Sequence, residues 1–140
     1  AINQPRGINF LFILGILGFV KGFLYESVAD FQKFSFREQK DKKHPWIDTG
    51  VWKYSRHPNY YGEIAIWISL YIAAFSSLHG AQRIYGLISP LFIYILLRYI
   101  SGVPILEKSA DEKWGKQKAY QDYKNRTYLI IPIPFNKRLP

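Results

Sequence analysis

Three stretches of this chain go almost without charge, and that absence limits the possible folds more than any motif does. Lys21 is the only charged residue from Gly7 to Tyr25, none occurs from Ile64 to Gln82, and Arg98 alone interrupts Ile84 to Leu106. About 19 apolar residues are what a helix needs to cross a hydrocarbon core roughly 30 Å thick. The runs therefore predict an all-α, polytopic helical membrane protein with about three spans, at 8–25, 62–78 and 84–101. A soluble bundle is the alternative, but its helices carry a polar face, and these mostly do not. The lipid bilayer is the first expected partner.

Composition narrows the chemistry. The 140 residues are 49% hydrophobic and 18% aromatic, with a formal charge of +9 and no cysteine. Disulfides, thiolate nucleophiles and cysteine-ligated zinc or iron–sulfur clusters are excluded, and no other metal site is expected. The sequence opens Ala-Ile-Asn-Gln, without a basic leader ahead of a cleavable apolar segment. It reads as a single membrane domain over residues 1–140, the C-terminal portion of a longer chain.

Lys and Arg set the expected orientation, because short basic loops stay on the cytoplasmic side. Lys33, Arg37, Lys40, Lys42, Lys43, Lys53 and Arg56 lie between the first two runs, and eight more basic residues follow Leu106; Arg83 alone occupies the connection between the second and third. The loop before the second run and the tail 106–140, with an amphipathic helix, should both face the cytoplasm. That places the protein in the endoplasmic reticulum if the source is eukaryotic and in the inner membrane if it is bacterial. A basic excess flanking spans is what insertion requires, so no nucleic-acid partner is expected. Pro90, early in the third run, should kink that helix without ending it.

Sites are sought where charge meets the apolar zone. Glu26, Asp30, Lys33 and Arg37 are spaced four, three and four apart, so they share one helix face. The stripe is either a ladder of interfacial ion pairs, each worth a few tenths of a kcal/mol, or a ligand set. In the second case Asp30 accepts from a hydroxyl or amide, and Lys33 and Arg37 face phosphate or carboxylate.

The segment YSRHPNYYGE, Tyr54 to Glu63, opens the second run. Pro58, Asn59 as a cap, and Gly62 suffice to start a helix. Arg56, His57 and Glu63 exceed that need. A carboxylate in the first turn of a spanning helix is expensive without a partner and marks a candidate site; the alternative is a Glu63 that favours the helix dipole and reaches water.

Three ordered blocks then carry a family resemblance: GVWKYSRHPNYYGE (Gly50 to Glu63), SGVPILEKSADEKWG (Ser101 to Gly115) and YQDYKNRTYLIIPIPF (Tyr120 to Phe135), with ESVADFQKFSFR (Glu26 to Arg37) upstream. Together they resemble the C-terminal domain of the steroid 5-alpha-reductase superfamily, most closely its poorly characterised integral-membrane branch. Delta-14 sterol reductases and isoprenylcysteine carboxyl methyltransferases are related.

The resemblance implies a membrane oxidoreductase that uses NADPH to reduce a carbon–carbon double bond of a steroid-like or other lipid substrate. It implies cofactor-contacting roles for Asp30 and Arg37, with Lys33 beside them, and for Asn59 and Glu63, which match an N-x-x-x-E block. Arg56 and His57 fit the shared RHP element and would face the anionic or ribose part of the cofactor. Tyr60 and Glu63 are the candidate catalytic acids, although tyrosine is frequent enough here that packing is the commoner role. No GxGxxG occurs, so a Rossmann carrier is excluded.

Departures from the reductase pattern keep two alternatives open. Where the reductases supply Arg, His and Tyr from the tail, this chain has Glu107, Lys108, Asp111 and Glu112, of which Glu107 and Lys108, like Tyr60 in the motif, are expected cofactor contacts. Glu107 matches the acidic residue of the methyltransferase tail, so an S-adenosylmethionine-dependent lipid or isoprenylcysteine-type methyltransferase is the second reading. The residues that hold substrate in the reductases lie in N-terminal helices with no counterpart here, which leaves a non-catalytic scaffold or sterol-binding relative as the third. The tail segment with Trp114, Tyr120 and Tyr123 is expected to act as a lid over the cofactor, or else to lie along the headgroups.

Overall fold

The structure is a computed structural model, and it describes residues 8–134. Expectations that fall on residues 1–7 and 135–140, including Phe135 and the end of the tail, lie outside the described residues. The described residues are helical, with no strand among them beyond one isolated bridge. Five α-helices follow in order: α1 Phe10–Glu38, α2 Pro58–Ala74, α3 Ala81–Ile95, α4 Val103–Trp114 and α5 Lys118–Arg126.

Helix α1 begins where the Asn9 side chain accepts from the Phe12 amide at 2.9 Å, a side-chain cap on an otherwise orphaned donor. It runs for 29 residues, so the apolar run and the polar stripe form one continuous helix. Two stretches are long and apolar enough to cross a membrane: α1, and the near-continuous Ala81–Trp114, in which α3 passes through a π turn at Leu96–Ile100 into α4. Only 11% and 17% of their apolar windows are buried. A soluble core helix would be mostly buried, so these faces suit a bilayer. Helix α2, the expected second span, has 17 residues, short of the about 20 that a crossing takes on its own. Pro90 lies inside α3 and the helix continues past it.

Small residues set the α1–α2 contact. A Cβ on Gly15 would sit 2.4 Å from the Ala73 amide nitrogen, one on Gly18 would meet Ser69, and one on Gly22 would meet Ala65 and the Gly62 carbonyl. Gly62 in turn abuts Glu26, whose Cβ would lie 2.7 Å away from a Cβ placed there. In lipid, where apolar surface gains nothing by hiding from water, such close backbone approach is the main source of helix association.

The loop after α1 folds back onto it. Gln32 Oε1 accepts from the Val51 amide at 2.9 Å, and the Trp52 indole donates to the Ala29 carbonyl at 3.0 Å. Gly50, with φ +62, makes the turn this requires. Ala29, Ile47 and Trp52 form one small core; Trp46, Tyr120 and Tyr123 form another, against Ala110 and Trp114.

After α5 the chain turns extended and lies alongside the segment before α2. The Tyr128 amide donates to the Tyr54 carbonyl at 3.0 Å, Arg56 N–H to the Tyr128 carbonyl at 3.0 Å, and His57 N–H to the Leu129 carbonyl at 3.1 Å. Ser55, fully buried, donates to the Ile130 carbonyl at 2.6 Å and accepts from the His57 amide. The motif is thus held by backbone contacts from the far end of the chain.

Candidate functional site

Pro58 occupies the first helical position of α2, where its missing N–H costs nothing, so the cap falls on His57. Asn59 is inside the helix and does not cap it, a correction to the sequence-based expectation. The His57 carbonyl accepts from the amides of Tyr60 and Tyr61. With its backbone fixed at both faces, the buried His57 ring stacks on Tyr60 at 5.4 Å between centroids.

That position directs His57 and Arg56 onto α4. His57 Nε2 lies 2.8 Å from Glu107 Oε1, and Arg56 Nε donates to the same oxygen at 3.0 Å. A carboxylate can only accept, so the imidazole proton sits on Nε2. Arg56 Nη1 also donates to the Lys124 carbonyl at 2.8 Å and to the Thr127 carbonyl at 3.2 Å. Most of the guanidinium fork is therefore spent within the protein, tying α2, α4 and the end of α5 together. Arg56, His57 and Glu107 all line a cavity, and at its wall they form a mutually compensated cluster.

The cavity, of about 350 Å³, lies between the C-terminal end of α1, the loop after it, and α4 and α5. Its lining joins Lys33 and Arg37 from the stripe, Arg56 and His57 from the motif, and Glu107 from α4. Lys42 and Lys113 also line it. Lys33, Arg37, Lys42 and Lys113 make no ion pair among the described residues. Three of them rest on aromatic faces: Lys33 Nζ is 5.2 Å from the Trp52 ring centre, Lys42 Nζ is 5.1 Å from that of Phe36 and Lys113 Nζ is 5.9 Å from that of Trp114.

Aromatic residues make up much of the remaining wall. Trp46, Trp114 and Tyr120 pack ring against ring, with centroids 5.2–5.9 Å apart, and His44 stacks on Trp46 at 4.3 Å. Tyr123 donates to the Trp52 carbonyl at 2.8 Å. Burial pushes the Tyr120 phenol up to about 12, helped by Glu107 and Asp111 nearby, and raises that of Tyr123 further. These rings face one another inside the protein and do not lie along headgroups. Sequence reading placed only Trp114, Tyr120 and Tyr123 near the cofactor and missed Trp46 and Trp52. Their one signal was a pair of tryptophans, one inside the Pro45-to-Gly50 turn and one two residues after it.

Asp30, Tyr60 and Glu63 do not line the cavity; they form an adjoining group where α1 crosses α2. Asp30 acts electrostatically on Lys33 and on Tyr60. Glu63 accepts from the Trp67 indole at 3.1 Å and faces Glu26, whose backbone Gly62 abuts. The acidic partner of Glu63 is thus Glu26, named in the stripe but not as a site residue. Asn59 and Lys108 are not among the lining residues, and Lys108 is exposed.

A protein family, described as "Protein of unknown function (DUF1295)", matches residues 1–127. The chain belongs to that family. No curated protein and no solved structure matches it. The match takes in α1 through α5 and so includes every wall of the cavity; in this DUF1295 chain the described residues after Thr127 lie beyond it.

Proposed function

We propose that this DUF1295 protein is a membrane reductase that takes NADPH in the cationic cavity and reduces a carbon–carbon double bond of a steroid-like or other lipid substrate. One observation carries the reading: four cations, Lys33, Arg37, Lys42 and Lys113, line an aromatic-walled cavity without ion-pairing to an acid. Arg37, Lys42 and Lys113 are exposed at its mouth and Lys33 is half-buried with Asp30 acting on it, so the positive charge of the site exceeds the negative, which favours a polyanion. NADPH carries several phosphate charges, whereas S-adenosylmethionine brings a sulfonium and an ammonium. Glu107, the residue that pointed to a methyltransferase, is already neutralised by Arg56 and His57. The resemblance to steroid 5-alpha-reductases, read from the same motif, supports the same choice.

Lys33 and Arg37 would hold phosphate, with Lys42 and Lys113 closing over it from the loop and α4. Trp46, Trp52 and Tyr120 offer flat faces for a base. NADPH, when bound, supplies a hydride to one carbon of the double bond, and the second carbon then takes a proton. Tyr60 and Glu63 adjoin the cavity on the membrane side and are the candidate proton donors, with Glu26 and Asp30 as their acidic neighbours. The tail carrying Tyr120 and Tyr123 serves as the lid. In this reading α2, extended by the Phe75–Ser77 turn, is the middle one of three spans, the cavity and the tail are cytoplasmic, and the membrane is the endoplasmic reticulum or a bacterial inner membrane.

Calorimetric titration of the purified protein with NADPH and with S-adenosylmethionine tests the proposal. Saturable binding of NADPH and none of S-adenosylmethionine is expected. The reverse result would turn the reading to a methyltransferase, and binding of neither would leave a scaffold.

A further inference from the structure

A second, larger cavity is left unused by the proposed cofactor. It is a groove of about 750 Å³ between α1, α2 and the end of α3, roofed by Tyr128–Ile131. Its lining is apolar except for hydroxyls and two cations, Lys21 and Arg98. These are the lone charges of the first and third apolar runs.

Packing puts both cations at one level. Gly22, next to Lys21, meets Ala65, and Gly102, four residues beyond Arg98, meets the Tyr60 ring. Because α2 runs opposite to both α1 and α3, Arg98 falls near Ile64 and Lys21 near Ala65. Gly18 meets Ser69 one turn deeper, and both residues line the groove. The groove therefore has a cationic collar at its polar end and an apolar trough below it. Neither cation is ion-paired among the described residues, and Arg98 leans on the Tyr99 ring at 4.7 Å.

We propose that this groove binds a single-chain lipid by its carboxylate, held between Lys21 and Arg98, and that such a lipid acid is the substrate. The second clause rests on the reductase reading; the first does not. Unpaired cations within apolar runs are expensive, and an anionic ligand offsets that cost while its tail fills the trough. Charge selects the headgroup further. The cost of desolvation rises with the square of the charge, so a carboxylate monoanion enters an apolar groove more readily than a phosphate dianion. The volume suits one long chain with a small headgroup and not two chains.

Oleate is the probe, measured by thermal shift and by competition with a fluorescent fatty acid on the purified full-length protein in neutral-lipid nanodiscs. Oleate should bind at least about tenfold more tightly than oleyl alcohol, which has the same tail without the charge. Lys21→Gln and Arg98→Gln should each abolish that preference, while Lys21→Arg keeps it. NADPH binding should persist in all three, which shows that the variants fold. Equal binding of acid and alcohol, tighter binding of oleoyl lysophosphatidate, or unchanged preference in both Gln variants would overturn the proposal. Oleate binding without NADPH binding would refute the reductase reading and leave the groove standing.

Discussion

His57 and Arg56 share a single oxygen, Glu107 Oε1, at 2.8 and 3.0 Å. A residue expected to face a cofactor thus draws on the same carboxylate as its neighbour, and all three act as a clamp between α2 and α4. Glu107→Ala should leave a largely buried guanidinium and an imidazole without their acceptor. Removal of one partner of such a cluster costs about 3 kcal/mol, so a clear fall in the unfolding midpoint is expected. Glu107→Gln, which keeps the shape and one acceptor, should cost less. A Glu107→Ala midpoint equal to wild type would mean the clamp contributes nothing.

The free cations should behave differently. Lys33→Ala and Arg37→Ala should each weaken NADPH binding about tenfold, the scale of one charge-assisted hydrogen bond. Stability should change little, because neither side chain is ion-paired among the described residues. Calorimetry at two salt concentrations checks this: wild-type affinity should fall with salt and the variants' affinity should fall less steeply.

Gly62 is a point where α2 rides directly on the backbone of α1. A methyl group there would stand 2.7 Å from Glu26 Cβ and 2.8 Å from Glu26 N, and backbone cannot swing aside as a side chain can. Gly62→Ala should therefore separate the helices and destabilise the pair by about 1–3 kcal/mol. Glu26, Glu63 and Tyr60 would move apart with them, so turnover should fall more than NADPH affinity does. Thermal unfolding and binding measured side by side separate the two effects.

Alkaline pH should loosen the tail. Tyr120 titrates near 12 in the folded protein against 10.0 when free, so between those values the unfolded chain loses a proton that the folded chain keeps. Stability is then full below pH 10 and falls as pH rises towards 12. Tyr120→Phe should flatten that decline. An equally steep decline in the variant would assign it to other groups.

Much of the fold was legible because charge-free runs and helix-starting residues are local signals. Asn9 caps α1 and Pro58 opens α2, and each acts within a few residues of itself. Asn59 misled because two cap-like residues stood in a row and the proline, fixed in φ, took the first helical position. The resemblance assigns residues of both the stripe and the motif to one cofactor, and Lys33, Arg37, Arg56 and His57 line one cavity. What stayed hidden was long-range. Nothing near Arg56 signals that Glu107 will neutralise it, and nothing near Trp46 signals Tyr120; such pairings are decided by how helices dock.

The pairing of residues 54–57 with 128–130 also orders events in time. The spans can insert as they are made, each as its own apolar run emerges, yet the motif waits for partners synthesised more than seventy residues later. Ser55 Oγ reaches Ile130 across 75 positions. A chain halted between α5 and that point would have the lining residues of the smaller cavity but lack the roof of the larger groove. The order in which the pieces are made thus separates the local step, in which helices form from their own runs, from the late one, in which residues 128–130 fix the segment before α2.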